Sequence, residues 1–178
     1  MIPGLTDELK IALFANAAPY GQIWIGEVYE FGDSQELIPL RFDQLDFLAI
    51  FSSPANQAGG DEMLLAMAEQ WAAGFVPDQQ ARLIKFWQAN AQARALDPKE
   101  WHLGASEQIF EFLTTLADVM VTHATTCEFV TQYFFWPASE SLARAYVRVF
   151  RSIDKKLMPG AFKRILREMG DFYGYQRT

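Results

Sequence analysis

The hydrophobic pattern of the chain is clearest between Ser106 and Trp136, a segment without Pro or Gly that ends at Pro137. An α-helix turns about 100° per residue, and on that geometry the segment gathers apolar residues along one line. The apolar line consists of Ile109, Leu113, Leu116, Met120, Cys127 and Phe134, and the opposite side carries Glu107, Glu111, Asp118, Thr122 and Thr125. We therefore predict one long central helix with its apolar line against the core.

The N-terminal part predicts a helix followed by a small sheet. Thr6 is a suitable cap for the first helix. Gln22–Phe31, Glu36–Phe42 and Phe47–Phe51 are rich in β-branched, aromatic and other apolar residues, and Pro39 places the second of these segments at an edge or a bulge. Two or three antiparallel strands follow from this pattern, and a sheet of that size needs a helix on one face.

After a loop rich in Ser, Pro and Gly at residues 52–60, the pattern favours helices almost to the C-terminus. They are predicted over 61–74, from Asp78 with Leu83, Ile84 and Trp87 inward, after Asp97, from Pro137, and over 161–169, with a frayed tail at 170–178. The predicted fold class is α+β and predominantly α, with a small N-terminal antiparallel sheet packed on a bundle of about five helices. We predict an N-terminal lobe over residues 1–56 and a helical bundle over 57–178, together forming one compact domain.

Composition and charge indicate a cellular location and an uneven distribution of charge along the chain. The 178 residues carry a net charge of −7, but residues 1–137 hold 6 Lys and Arg against 18 Asp and Glu, whereas residues 138–178 hold 9 against 4. The single cysteine, Cys127, cannot form an intramolecular disulfide, which fits a reducing compartment, so we predict a cytoplasmic protein. No apolar stretch reaches the roughly 18–20 residues that a membrane span needs, and no membrane is predicted as a partner.

An acidic line on the central helix is the first candidate site. It is formed by Glu107, Glu111 and Asp118, with Phe129 near that face as an apolar anchor. Paired carboxylates perform acid–base chemistry when burial raises the pKa of one of them. Because these residues lie on the polar side of the helix, solvation is the simpler interpretation, and a groove for a basic protein segment is favoured over catalysis.

A basic line near the C-terminus is the second candidate. Arg144, Arg148, Arg151 and Lys155 recur at helical spacing on one solvent-facing line. Such a line can neutralise nucleic-acid phosphates, form salt bridges to the acidic part of the chain, or bind a protein. The negative net charge repels a polyanion and disfavours the first of these.

The aromatic run Tyr133–Trp136 is too wide for one helical stripe, so another element, a partner or a ligand must cover part of it. Burial in the core is the ordinary explanation. The alternative is an apolar ligand pocket lined by Phe134, Trp136 and Trp87.

His123 and Cys127 are four residues apart, a spacing that allows two metal ligands on one helix. A zinc site needs three or four ligands, and His102 is the only other histidine. A buried histidine with a hydrogen bond, beside an apolar cysteine, is the preferred interpretation. The chain has no phosphate-binding loop, nucleophile elbow or zinc-protease motif. We therefore predict no catalytic residues, no metal and no cofactor.

The residues Ile38–Leu40 and Asp46–Pro54 resemble the strand-and-turn segment of secretion-associated SseB-type domains. The resemblance covers less than a tenth of the chain, and we attach no function to it.

The leading functional hypothesis is a non-catalytic intracellular protein-binding module of a chaperone, adaptor or immunity type, whose partner is another protein. One alternative is a nucleic-acid-associated factor that uses the basic C-terminal helices. The other is a binder of a small apolar ligand. The three hypotheses require different sites. The protein-binding module uses the acidic line, the nucleic-acid-associated factor uses the basic line, and the ligand binder uses the apolar pocket.

Overall fold

The structure is a computed structural model that describes residues 5–32, 35–54, 78–89, 103, 106–135, 144, 147, 162–165 and 173–178. Within these ranges the chain forms a curled mixed sheet of eight strands and two helices. The helices are α1 (Asp7–Leu13) and α2 (Ser106–Thr126). The strands are β1 (Trp24–Ile25), β2 (Tyr29–Glu30), β3 (Gln35–Phe42), β4 (Leu45–Ser52), β5 (Ala81–Gln88), β6 (Gln132–Phe135), β7 (Phe162–Ile165) and β8 (Tyr173–Arg177).

The strands lie in the order β1-β3-β4-β5-β6-β8-β7, and β2 pairs with β3. The β5–β6 pair is parallel, and the other pairs in this sheet are antiparallel. A parallel pair cannot be joined by a tight hairpin, and α2 lies in the connection between β5 and β6. The topology therefore places the long helix in a crossover between two central strands.

The predicted fold class is wrong, because the described residues form a strand-rich half-barrel and not a helical bundle. The segment from Asp78 shows the reason. Ala81–Gln88 forms β5, a central strand whose residues are buried or half-buried on both faces. Burial on both faces removes the alternation of polar and apolar residues that identifies a strand, and Leu83, Ile84 and Trp87 then fit helical spacing equally well.

The long central helix is shorter than predicted. It ends at Thr126, and a turn at residues 127–130 leads into β6, so that Phe134 belongs to a strand. Phe134 follows Cys127 by seven residues, which is why it fits the helical line. The helix end is rich in β-branched residues, and Thr122, Thr125 and Thr126 each donate a hydrogen bond to the carbonyl four residues earlier.

The predictions for residues 161–178 are also wrong where the structure describes them. The predicted helix over 161–169 contains β7, and the predicted frayed tail contains β8, which pairs with both β6 and β7. The helices predicted over 61–74 and after Asp97 lie outside the described residues, and so does the boundary between 56 and 57. Of the helix predicted from Pro137, only Arg144 and Val147 are described, and both have helical backbone.

Some predictions for the N-terminal part are confirmed, but its strands belong to the eight-stranded sheet and not to a separate small one, and Gln22–Phe31 contains only the short strands β1 and β2. Thr6 caps α1, since its hydroxyl oxygen accepts a hydrogen bond from the Leu9 amide at 3.2 Å. The segments around Glu36–Phe42 and Phe47–Phe51 form β3 and β4. Pro39 lies in β3 between the short strands β1 and β2, where its carbonyl accepts the Gly26 amide at 2.8 Å. The missing amide of Pro39 is therefore tolerated in a strand that has neighbours on both sides.

The two largest hydrophobic clusters of the described residues cover the two faces of the sheet. The larger one joins α2 to β3, β4, β5 and β6 and includes Phe42, Phe47, Phe51, Ile84, Phe86, Phe112, Leu116, Val119 and Phe135. The smaller one joins α1 to Leu37, Leu48 and Ile50 on the opposite face. The residues of β3 and β4 alternate between these clusters, so each strand is apolar on both sides. The core therefore fixes α2 on one face of the sheet.

Candidate functional site

The first turns of α2 extend beyond the cover of the sheet. Ile109 lies seven residues before the buried Leu116, on the same apolar line, yet 40% of it is exposed. Its neighbour Phe110 is 57% exposed, whereas Phe112 is fully buried. The apolar stripe of α2 therefore continues past the core and ends in solvent.

Two carboxylates lie together next to Phe110, on the side of the helix away from Ile109. Glu107 and Glu111 are exposed, and their separation of four residues makes them neighbours on the helix surface. Glu107 is also three residues from Phe110, which places charge and aromatic ring side by side. We call Glu107, Ile109, Phe110 and Glu111 the α2 knob.

Aromatic packing holds the helix directly behind the α2 knob. The Phe112 ring packs edge-on against Phe42 with centroids 5.2 Å apart, and against Phe47 at 4.8 Å. All three rings are buried, and close packing of this kind resists rotation of the helix. The knob is therefore presented on a fixed support.

The other half of α2 is held by a buried polar cluster, which we define as Glu36, Arg82, His123 and Tyr133. Arg82 donates two hydrogen bonds to the Glu36 carboxylate, from Nε to Oε2 at 2.8 Å and from Nη2 to Oε1 at 2.9 Å. His123 Nε2 lies 3.4 Å from Glu36 Oε2, and His123 Nδ1 lies 2.9 Å from the Tyr133 hydroxyl. The Phe51 ring stacks on the imidazole with centroids 3.7 Å apart.

The electrostatics of this cluster favour a neutral histidine beside an ionised carboxylate. Burial lowers the pKa of His123 below its ordinary value of 6.5, although the Glu36 carboxylate opposes that shift. Burial would raise the pKa of Glu36, but its contact with His123 and its hydrogen bonds from Arg82 outweigh burial, and the pKa is lowered. Burial raises the pKa of Tyr133, so its hydroxyl keeps its proton and can donate to Nδ1.

A carboxylate, an imidazole and a hydroxyl in sequence have the order of a nucleophilic triad. Here the terminal hydroxyl belongs to Tyr133, of which 1% is exposed, and His123 is fully buried. No substrate reaches these atoms in this arrangement. What the cluster does is attach α2 to β3, β5 and β6 at one point.

The C-terminal end of α2 is fixed by a strand at the end of the chain. Arg177 of β8 donates from Nη2 to the Ala124 carbonyl at 2.7 Å and from Nε to the Val130 carbonyl at 3.0 Å. A cation at a helix C-terminus also interacts favourably with the helix dipole. The helix is therefore anchored along most of its length, while its first turns remain in solvent.

The residues of the predicted acidic line do not all lie together in the structure. Glu107 and Glu111 lie together on the α2 knob, while Asp118 is half-buried further along the helix. Phe129 is 50% exposed but follows the end of α2, where the Arg82 guanidinium lies 5.3 Å from its ring centroid. Along a helix that rises about 1.5 Å per residue, Phe129 is far from Glu107. Phe110, and not Phe129, is the aromatic side chain beside Glu107.

The other predicted sites are described only in part. In the basic line, Arg144 is exposed, and Arg148, Arg151 and Lys155 lie outside the described residues. Phe134 packs in a small cluster with Ala81 and Leu83. Trp87 is half-buried against the cluster beneath α1, four residues along β5 from Leu83, and Trp136 lies outside the described residues.

Glu36 and Arg82 were not among the site residues predicted from the sequence, and they are separated by 46 residues along the chain. The available signal was the presence of a charged residue within an apolar segment that is buried on both faces. Charged residues are seldom fully buried without a partner, so each of them indicated an unknown counter-charge. Nothing in the local pattern identified one as the partner of the other.

Comparison with known proteins finds no family model that matches the chain, and no curated protein or solved structure with significant similarity to it. In the described part of the chain, no helix has the length and apolar character that crossing a membrane requires. Among the same residues, no three His, Cys, Asp or Glu side chains are grouped as metal ligands.

Proposed function

We propose that this protein is a non-catalytic protein-binding module, and that the α2 knob is its contact surface. The observation that supports the proposal is the exposure of Ile109 and Phe110 on a helix that is otherwise firmly packed. Large aromatic side chains at the centre of a contact supply much of the binding free energy in protein complexes. We also propose a cytoplasmic location, since the single cysteine, Cys127, is a free buried thiol.

The chemistry of the α2 knob favours a basic, amphipathic partner segment. Glu107 and Glu111 lie together on one side of Phe110, and the net charge of −7 attracts a positively charged partner from a distance. A segment with Lys or Arg on one side of one or two apolar residues matches this arrangement. Because the support behind the knob is fixed, binding requires little ordering of α2 itself.

The proposal is tested by purifying the tagged full-length chain from its native cells, as wild type and as the double variant Ile109→Ser/Phe110→Ser. We expect a specific protein to co-purify with the wild type and to be lost with the double variant. Its affinity, measured with the purified pair, should fall at least about 30-fold, the equivalent of a loss of about 2 kcal/mol at a central aromatic contact.

The matched control is Ile11→Ser, which removes a 73% exposed apolar side chain from α1, away from the knob. This control should keep the partner. The charge reversal Glu107→Lys/Glu111→Lys should weaken binding and reduce its dependence on salt concentration. A partner that is retained equally by the wild type and by both double variants would show that the α2 knob is not the contact surface.

A further inference from the structure

A cleft of about 620 Å³ lies between the last turns of α2 and the segment that carries β1 and β2. Its walls include Trp24 and Tyr29 from the strands, Glu27 between them, and Thr122 and Thr126 from the helix. Sites for small molecules usually have volumes of about 300–1,000 Å³ and combine apolar walls with a few polar groups. The cleft therefore has the size and composition of a ligand site.

The wall of the cleft that carries β1 and β2 is held in place by backbone pairing with β3. Trp24 pairs with Arg41, Tyr29 pairs with Leu37, and the Gly26 amide between them donates to the Pro39 carbonyl at 2.8 Å. A Cβ atom at Gly26 would lie 2.6 Å from Pro39 Cγ and 2.8 Å from the Trp24 ring. The absence of a side chain at Gly26 therefore allows the Trp24 indole to lie across the strand.

The described residues that line the cleft carry negative charge only. Among these described residues, Glu27 is the one with a charged side chain, and none is Lys, Arg or His. The Thr122 and Thr126 hydroxyls donate to the carbonyls of Asp118 and Thr122, both at 3.0 Å, so they offer lone pairs rather than protons. The Glu27 carboxylate and the two hydroxyls are thus acceptors in the cleft, beside the Asn16 amide, which can both donate and accept.

Aromatic rings add to this preference. Trp24 and Tyr29 both line the cleft, and the face of an aromatic ring attracts a cation through its quadrupole. A carboxylate, two acceptor hydroxyls and two electron-rich rings all favour a positively charged ligand with an apolar body. A carboxylate or phosphate ligand would meet no cationic side chain among the described lining residues.

We propose that this cleft binds a small organic cation, namely an amine or quaternary ammonium group carried on an aromatic or short aliphatic body. The ammonium group lies against Glu27 and the rings, and the apolar body lies against Leu13 and Ile25. The site is separate from the α2 knob, because Thr122 follows Ile109 by thirteen residues, about 20 Å along the helix. The inference therefore does not depend on the proposed function.

The test titrates the full-length chain with 2-phenylethylamine, its neutral counterpart 2-phenylethanol and the anion 3-phenylpropionate, by calorimetry and by NMR. We expect the amine to bind with a Kd of about 1 mM or lower and at least about tenfold more tightly than the alcohol, with no binding of the anion. Chemical-shift changes should include the Trp24 indole and the methyl groups of Thr122 and Thr126.

The variants are Glu27→Gln and, as a matched control, Glu8→Gln, an exposed glutamate of α1 that does not line the cleft. Glu27→Gln should weaken binding of the amine by about tenfold and leave binding of the alcohol unchanged, while Glu8→Gln should have no effect. Equal binding of amine and alcohol, equal binding by both variants, or shift changes that omit Trp24 and the two threonines would each overturn the proposal.

Discussion

Glu36 of β3 and Arg82 of β5 form a two-point ion pair across the intervening strand β4, and less than a tenth of either residue is exposed. The two residues reach each other because Glu36 pairs with Phe51, which in turn pairs with Ile84, two residues from Arg82 on the same face. The pair lies beneath α2, in contact with His123. With His123 and Tyr133 it forms the buried polar cluster that attaches α2 to the sheet.

The first prediction concerns the cost of breaking this pair. Glu36→Gln alone or Arg82→Met alone should each destabilise the fold by about 3–5 kcal/mol, because each leaves a buried charge without its counter-charge. The double variant Glu36→Gln/Arg82→Met should be less destabilised than the sum of the single variants, with a coupling energy of about 1–3 kcal/mol. Urea denaturation of the four proteins, followed by circular dichroism, measures the cycle.

Additive effects in this cycle would show that the two residues act independently. The control pair is Asp7→Asn and Lys10→Met. Their ion pair is also short, with Lys10 Nζ 2.7 Å from Asp7 Oδ1, but the Asp7 side chain is 86% exposed. Solvent screens such a pair, so neither substitution should measurably change the unfolding midpoint.

The second prediction concerns pH. The folded pKa of His123 is below its ordinary value of 6.5, so the unfolded chain binds a proton at pH values where the folded chain does not. The contribution of His123 is fully present above pH 6.5 and is lost as pH falls towards the folded pKa. The melting temperature should therefore decrease on acidification below pH 6.5, and His123→Gln should reduce this decrease.

The chain's second histidine supplies the control for this experiment. The variant His102→Gln should keep the decrease below pH 6.5, and a decrease that disappears with His102→Gln instead would assign the effect to the wrong residue. A separate loss is expected below pH 4.5, because the pKa of Glu36 is lowered in the fold. Glu36→Gln should remove the second loss, which separates the two groups.

The sequence predicted those elements whose signals are local. The cap at Thr6, the burial of Phe47–Phe51 and the apolar line from Leu113 to Met120 all follow from short patterns, and the structure confirms them. The predictions for the segments that form β5 and β6 were wrong, because central strands with two buried faces show no alternation of polar and apolar residues. Their partners are distant in the chain, and a single sequence contains no information on which strands pair.

The α2 knob could be predicted in part. Its carboxylates, Glu107 and Glu111, were identified from the polar side of the helix wheel. Ile109 was assigned to the core, because periodicity shows the direction in which a side chain points but not where the covering element ends. The buried polar cluster could not be predicted without the tertiary fold, because its four members come from four different elements.

The third prediction tests the C-terminal pairing that the sequence pattern concealed. Gly174 of β8 pairs with Phe134 of β6, and a Cβ atom there would lie 2.9 Å from Phe134 Cδ1 and 3.2 Å from the Tyr133 carbonyl oxygen. Gly174→Ala should therefore destabilise the fold by about 1–3 kcal/mol through overpacking. The control Gly32→Ala meets no atom within 4 Å, and its expected cost comes from its positive φ of 62° alone.

Thermal unfolding of the two glycine variants separates these causes. If Gly174→Ala is overpacked, the further substitution Phe134→Leu should recover part of the lost stability, because it removes the ring that the new methyl group contacts. The same second substitution should not improve Gly32→Ala. A neutral Gly174→Ala would argue against the β6–β8 register.

The last prediction concerns the segment between α1 and β1. Arg41 holds it through two bonds to Asp46, from Nε at 2.6 Å and Nη2 at 3.0 Å, and a third from Nη1 to the Ala18 carbonyl at 2.7 Å. The Tyr20 hydroxyl also donates to Asp46 at 3.1 Å, and its ring centroid lies 4.0 Å from the guanidinium carbon. One arginine thus links the segment to both β3 and β4.

Asp46→Asn should weaken this link, because the Arg41 guanidinium loses its ionised partner while the side-chain shape is kept. We expect the free energy of local opening of this segment to fall by about 1–3 kcal/mol. Hydrogen exchange should then be faster at the amide of Gly21, which donates to the Asp43 carbonyl at 3.0 Å. Amides of β4 and β5 should exchange as in the wild type, since the opening is local. Equal acceleration throughout the sheet would mean instead that Asp46 supports the whole fold and not this one segment.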